Sequence, residues 1–203
     1  IGSNIANIIL VMGATTVLCP IVNITRNQIN QAAINIVIAL GLIMMSLFMV
    51  QFNPVFGVIT LMLLTLIMVY QVKIGSLNFS DVEEQGEYSM FISGILIVIG
   101  ILLLVYGSKF FVSGAVNIAT VYGIPESVIG VSLVAFGTSL PELAVGILSA
   151  IRKKIDFALG NVLGSNIYNV LGVLGVTSFF GRFEFPTMIA TFDLYIMTGV
   201  IVF

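Results

Sequence analysis

The 203-residue chain is 59% hydrophobic and only 8% charged, with a mean hydropathy of +1.20, where a soluble domain carries about 25% charge. That balance excludes an ordinary soluble domain and points to an integral membrane protein with little mass outside the bilayer. A net charge of -2 with no basic patch gives no support for nucleic-acid binding, and the absence of His with a single Cys excludes an internal disulfide and a Cys/His metal site.

A bilayer core about 30 Å thick takes about 20 apolar residues per helix. Seven apolar runs meet or approach that length: 1–22, 31–52, 55–72, 90–118, 127–151, 157–180 and 187–203. Cys19 falls in the first run and reads as a small buried side chain. Asn53-Pro54 separates the second run from the third as a tight turn. The fourth is long enough to tilt or project. The fifth and sixth are interrupted by Gly, Ser, Thr, Asn and Pro. The chain opens without Met or a basic leader and stops inside an apolar run, so it reads as a fragment cut at both ends.

The one clearly hydrophilic connection is 73–89, whose Asp81, Glu83, Glu84 and Glu87 read as a solvated face. Alternating spans put the 23–30, 73–89 and 152–156 loops on one side, with Arg26, Lys73, Arg152, Lys153 and Lys154. Arg182 lies on the other. The positive-inside rule makes the first side cytoplasmic, in a cell membrane crossed many times.

An internal repeat is visible. "IGSNIANIILVMGATTV" (1–17) aligns with "LGSNIYNVLGVLGVTSF" (163–179). Gly2, Ser3, Asn4, Ile5 and Asn7 match Gly164, Ser165, Asn166, Ile167 and Asn169, and Gly13 and Thr15 match Gly175 and Thr177. An aligned G-S-N-x-x-N is not what chance matching of Leu, Ile and Val yields. The span order gives the two copies opposite directions. Inverted repeats with broken, polar helices mark secondary transporters, whose site lies at the repeat interface near the midplane.

The chemistry of these segments fits a cation. Glu142 lies near mid-span in "GTSLPELAVG", and a carboxylate at that depth costs roughly 2.5–3.5 kcal/mol on insertion scales. Thr138 and Glu142 share a face if the helix persists. Pro141 removes an N–H and crowds the preceding turn, which is expected to free carbonyls around Ala135, Gly137 and Thr138. Ser165 and Asn169 are again one turn apart, with Asn161 a turn earlier, and Ser3 and Asn7 are their repeat equivalents. This all-oxygen set suits hard ions such as Ca²⁺, which takes 6–8 oxygen ligands, and Na⁺; softer metals would call for His or Cys. Gly160, Gly164, Gly172 and Gly175 allow close helix packing.

"GTSLPEL" followed by "GNVLGSNIYNVLGVLG" resembles the second α-repeat of the cation/Ca²⁺ exchanger superfamily, nearest the prokaryotic Na⁺/Ca²⁺ exchangers. "IGSNIANIILVMG" resembles the end of the first α-repeat, and "GSKFFVSGAVNIA" (107–119) the helix preceding the second. The resemblance implies an all-α transmembrane bundle of ten helices in two inverted halves, here truncated at both ends. Residues 1–72 would be the remainder of the first half, 73–89 a cytoplasmic loop and 90–203 the second half. It further implies that Glu142 is one of two central carboxylates, the other in N-terminal helices outside this sequence. Ala135 (carbonyl), Thr138, Ser139, Ser165 and Asn169 are the ligands it implies, with Ser3 and Asn7 at the first-repeat positions. The span 90–118 resembles the helix that slides past the core during alternating access, with Lys109 snorkelling to the interface. Asn169 stands where K⁺-dependent exchangers carry Asp, which favours a K⁺-independent type.

The resulting expectation is an antiporter exchanging Ca²⁺ for Na⁺, with no cofactor and no enzymatic activity: Ser139 has no His or Lys base beside it. The rival in the same class couples Ca²⁺ to H⁺. A membrane scaffold would not need a mid-membrane Glu beside Thr, Ser and Asn, and a channel would differ in lacking saturable, counter-ion-dependent flux. Asp193 reads as an interfacial residue without an assignable role.

Overall fold

A computed structural model describes residues 1–21, 23–48, 51–76, 89–124, 126–181 and 192–202. Every helix below comes from an apolar run, and the chain order is α1 (Gly2–Leu18), α2 (Arg26–Leu47), α3 (Pro54–Ser76), α4 (Met90–Val121), α5 (126–138), α6 (Leu140–Ile151), α7 (Ile155–Thr177) and α8 (Leu194–Val202). Among the described residues, α2, α3, α4 and α7 are each long and apolar enough to span a membrane, and the bent pair α5–α6 counts as a fifth. α1, at 17 residues, rises about 26 Å and falls just short of a full span.

Local chemistry moves the boundaries. α2 starts at Arg26, so most of the expected 23–30 loop is helix. Thr25 is the reason: its hydroxyl accepts the Gln28 N–H at 3.3 Å, and Gln28 Oε1 accepts the Thr25 N–H at 2.8 Å. Such a capping box satisfies orphan donors at a helix start. α2 also stops at Leu47 rather than running to 52. Asn53 then opens α3, its side chain accepting the Phe56 N–H at 3.1 Å. The acidic cluster at 81–87 and Arg182 lie outside the described residues.

Polar pairs establish helix direction. Gln28 Nε2 donates to Asp156 Oδ1 at 2.9 Å, and Asn35 Nδ2 donates to the Leu163 carbonyl at 3.0 Å, both at a separation of 128 residues. α2 and α7 therefore run parallel in constant register. A Cβ on Gly57, near the start of α3, would meet the Gly175 carbonyl near the end of α7, so α3 runs antiparallel to α7. Arg26, Lys73 and the 152–154 turn consequently gather at one end of the bundle, as the span order predicts. Lys153 forms that turn with φ of 57°.

α1 crosses α7 head to tail. Asn4 Nδ2 donates to the Asn166 carbonyl at 3.2 Å, and Asn166 Nδ2 returns a bond to the Asn4 carbonyl at 3.5 Å. Ser3 meets Asn169 while Asn4 and Asn7 meet Asn166, so the two helices run in opposite directions and the repeat copies are inverted. Each contains a π-helical segment, Asn7–Met12 in α1 and Tyr168–Gly172 in α7. The matched asparagines are 162 apart, so the second segment maps onto positions 6–10 and the two overlap at 7–10. A buried cluster of Ala39, Leu42, Leu64, Ile167, Val170, Leu171, Leu194 and Met197 holds α2, α3, α7 and α8 together.

α4 lies outside this cluster. Its 32 residues extend roughly 48 Å, and only Ala119 is buried among them. It touches the core where Val112 crosses Gly137 and where the Phe111 and Phe136 rings meet at 5.5 Å.

Candidate cation site

The break between α5 and α6 organises the site. The two helices meet at a 50° bend, with Ser139 at φ -93° and ψ 0° between them. The helix therefore does not persist from Thr138 to Glu142, contrary to the shared-face reading. Pro141 sits in the first turn of α6, where a missing N–H costs nothing because it would be unpaired anyway. Glu142 falls in that same turn, and the helix N-terminus favours negative charge there. The C-terminal carbonyls of α5 face the opposite way electrically and favour a cation.

Hydroxyls from the break meet the repeat helices. The Thr138 and Ser3 hydroxyl oxygens lie 3.3 Å apart. Ser139 Oγ lies 3.5 Å from Ser3 Oγ and donates to the Ser3 carbonyl at 3.3 Å. Asn169 Nδ2 donates to Ser3 Oγ at 3.3 Å. Three chain-distant segments, around 3, 138–139 and 169, therefore converge on one hydroxyl. Ser139 is fully buried.

Ala135 is buried, but its carbonyl is not freed as the sequence reading expects. It accepts the Ser139 N–H at 3.3 Å and the Thr138 hydroxyl at 2.9 Å. The reason is the tight turn at Ser139, whose N–H is shared between the Ala135 and Phe136 carbonyls while the axis bends. The Thr138 hydroxyl can rotate off Ala135, which would expose that oxygen.

α6 packs parallel to α1. Ser139 meets Ser3, and further along a Cβ on Gly146 would meet Val11 and Thr15. Glu142 lies between these contacts, level with the turn of α1 that begins at Asn7. Glu142 Oε2 is buried without a hydrogen-bond partner, as are Asn7 Oδ1 and Asn4 Oδ1. Leaving such acceptors unpaired costs about 1–3 kcal/mol each, more for a charge, unless something positive meets them. The described residues hold no group of three or more His, Cys, Asp and Glu placed to hold a metal, so any cation here would rest on one carboxylate and neutral oxygens.

Ser165, the repeat mate of Ser3, is half-buried on α7 and does not join this hydrogen-bonded cluster. Its mate gains hydroxyl partners from 138–139, a segment of which this sequence has one copy. Two residues at the crossing escaped the candidate ligand set, Asn4 and Asn166, both essentially fully buried. Their signal was present in the repeat alignment, where Asn faces Asn.

A bundle with inverted, π-broken helices crossing at a buried set of oxygens defines a membrane protein of the ion-transporter class. The chain belongs to the sodium/calcium exchanger protein family, whose sequence profile matches residues 92–203. It is 33% identical over 218 residues to the putative antiporter CaxA of Alkalimonas amylolytica, covering 98% of this chain and 67% of that protein. It is 37% identical over 184 residues to the uncharacterized membrane protein MJ0091 of Methanocaldococcus jannaschii, covering 89% of this chain and 59% of that one. Its fold matches the sodium-calcium exchanger NCX_Mj in a structure soaked with Na⁺ and Sr²⁺, with a TM-score of 0.77, 32% identity, and coverage of 100% of this chain and 66% of that one. The chain thus spans about three fifths to two thirds of the length of these proteins.

Proposed function

We propose that the full-length protein moves Ca²⁺ across a membrane in exchange for Na⁺, by alternating access around the site at the α1–α7 crossing. One observation carries this reading: Ser3, Thr138, Ser139 and Asn169 converge there, beside buried Glu142 and Asn7 oxygens that have no partner. Oxygen acceptors of this kind suit Ca²⁺ and Na⁺ alike, so the two ions would compete for overlapping positions. Glu142 supplies the charge. The Thr138 hydroxyl, the Ala135 carbonyl, Ser139, Ser3, Asn7, Ser165 and Asn169 supply neutral oxygens. α4, largely clear of the buried core, is the element that slides as access alternates. The end bearing Arg26, Lys73 and Arg152 faces the cytoplasm.

The test is Ca²⁺ uptake into vesicles holding the full-length protein, driven by an outward Na⁺ gradient and compared with a H⁺ gradient. Uptake that requires Na⁺ and is abolished in Glu142→Gln supports the reading. Uptake driven by H⁺ alone overturns the counter-ion, and full uptake in Glu142→Gln overturns the site.

A further inference from the structure

Asn4 and Asn166 are 1% and 0% exposed, and they bond each other's helices rather than any candidate ligand hydroxyl. A carboxamide has one donating end and one accepting end. When a backbone carbonyl claims the nitrogen, the oxygen must face the other way. The Asn4 carbonyl claims Asn166 Nδ2 at 3.5 Å. Asn166 Oδ1 is thereby turned toward Asn7, whose Nδ2 donates to it at 3.0 Å. Asn7 must then turn its own Oδ1 away, and that buried oxygen has no partner. The orientation of Asn7 is therefore set by Asn166 Oδ1, with the Asn4 carbonyl as the more distant partner of Asn166. Were Asn7 reversed, two oxygens would oppose each other at Asn166, and an NH₂ group would face the site.

The inverted repeat supplies the mirror arm. The Asn166 carbonyl accepts Asn4 Nδ2 at 3.2 Å, which fixes Asn4 Oδ1 in the corresponding direction. Its symmetry-related donor would be Asn169 Nδ2. Here Asn169 bonds Ser3 Oγ at 3.3 Å instead, and Asn4 Oδ1 is unpartnered.

We infer that Asn166 is a positioning residue: it orients the carboxamide of Asn7 so that oxygen, not nitrogen, is presented to the transported cation. The inference rests on the cation-site reading above. It assigns Asn166 to selecting the polarity of the site, without contact with the ion.

The experiment measures the KM for Ca²⁺ uptake by the full-length protein in vesicles. Asn166→Ala is expected to raise KM roughly 10- to 100-fold, the range typical when a ligand loses its orienting partner, with kcat largely kept. The same change is then made in an Asn7→Asp background. A carboxylate has two accepting oxygens and needs no orienting, so Asn166→Ala should add no further rise there. A general packing defect would carry into both backgrounds alike. If Asn166→Ala does not fold, the near-isosteric Asn166→Leu takes its place with the same expectation. An unchanged KM, or an equal rise in both backgrounds, overturns the positioning role. Glu142→Gln run in parallel separates the two readings: if it abolishes uptake while Asn166→Ala leaves KM unchanged, only the positioning role fails; if it transports normally, the cation site itself fails.

Discussion

Replacing Gly137 with alanine measures how tightly α4 leans on the break. A Cβ there would stand 1.9 Å from Val112 Cγ2 and 3.3 Å from Val112 Cβ. Carbons in contact sit about 3.5–4.0 Å apart, so the closer pair must open by roughly 1.6–2 Å. Rotating Val112 would move Cγ2 aside, but valine in a helix has one strongly preferred χ1, and the 3.3 Å contact to Cβ would remain. α4 must therefore shift outward, and the Phe111–Phe136 contact at 5.5 Å loosens with it. Overpacking of this kind costs about 1–3 kcal/mol, equivalent to roughly 5- to 150-fold in an equilibrium. Thermal unfolding of the detergent-purified protein should show a lowered Tm, and vesicle uptake a slower turnover. Adding Val112→Ala removes the offending Cγ2 but keeps the Cβ contact at 3.3 Å, so it should recover most, not all, of both. A Gly137→Ala variant as stable as the parent, or a double variant no better than the single, would refute the reasoning.

Two further outcomes follow from the same geometry and from the repeat. Gly57→Ala should lower Tm more than Gly146→Ala. The new Cβ at Gly57 meets a backbone carbonyl of Gly175 at 2.7 Å, whereas at Gly146 it meets the side chains of Thr15 and Val11, at 2.7 and 3.2 Å, and only side chains can rotate away. Ca²⁺ uptake should be indifferent to K⁺, because Asn169 donates its amide to Ser3 and adds no carboxylate; a K⁺ requirement in the flux assay would contradict this.

Much of the bundle could be read from the chain because apolar length is a physical demand of the bilayer. The runs at 55–72, 90–118 and 157–180 correspond to α3, α4 and α7. Duplication was legible through the matched G-S-N-x-x-N, and its inversion through the order of the spans. Less visible was anything decided by hydrogen bonds between distant segments. The start of α2 depends on Gln28 reaching back to Thr25, a local signal that apolar counting passes over. The pairing of the Ala135 carbonyl depends on the turn at Ser139, which a helix-breaking proline alone does not specify. The buried pair Asn4–Asn166 required knowing that α1 and α7 cross where the two residues stand. The match between repeats marked both, but only the crossing shows that they join the two helices rather than the hydroxyl cluster.

The overlapping π-helical segments at Asn7–Met12 and Tyr168–Gly172 bear on ancestry. A π turn is a one-residue surplus in an α-helix. A surplus at matched positions of both halves is the pattern that duplication of an already π-broken helix leaves, so the irregularity belongs to the repeat itself rather than to one copy of it.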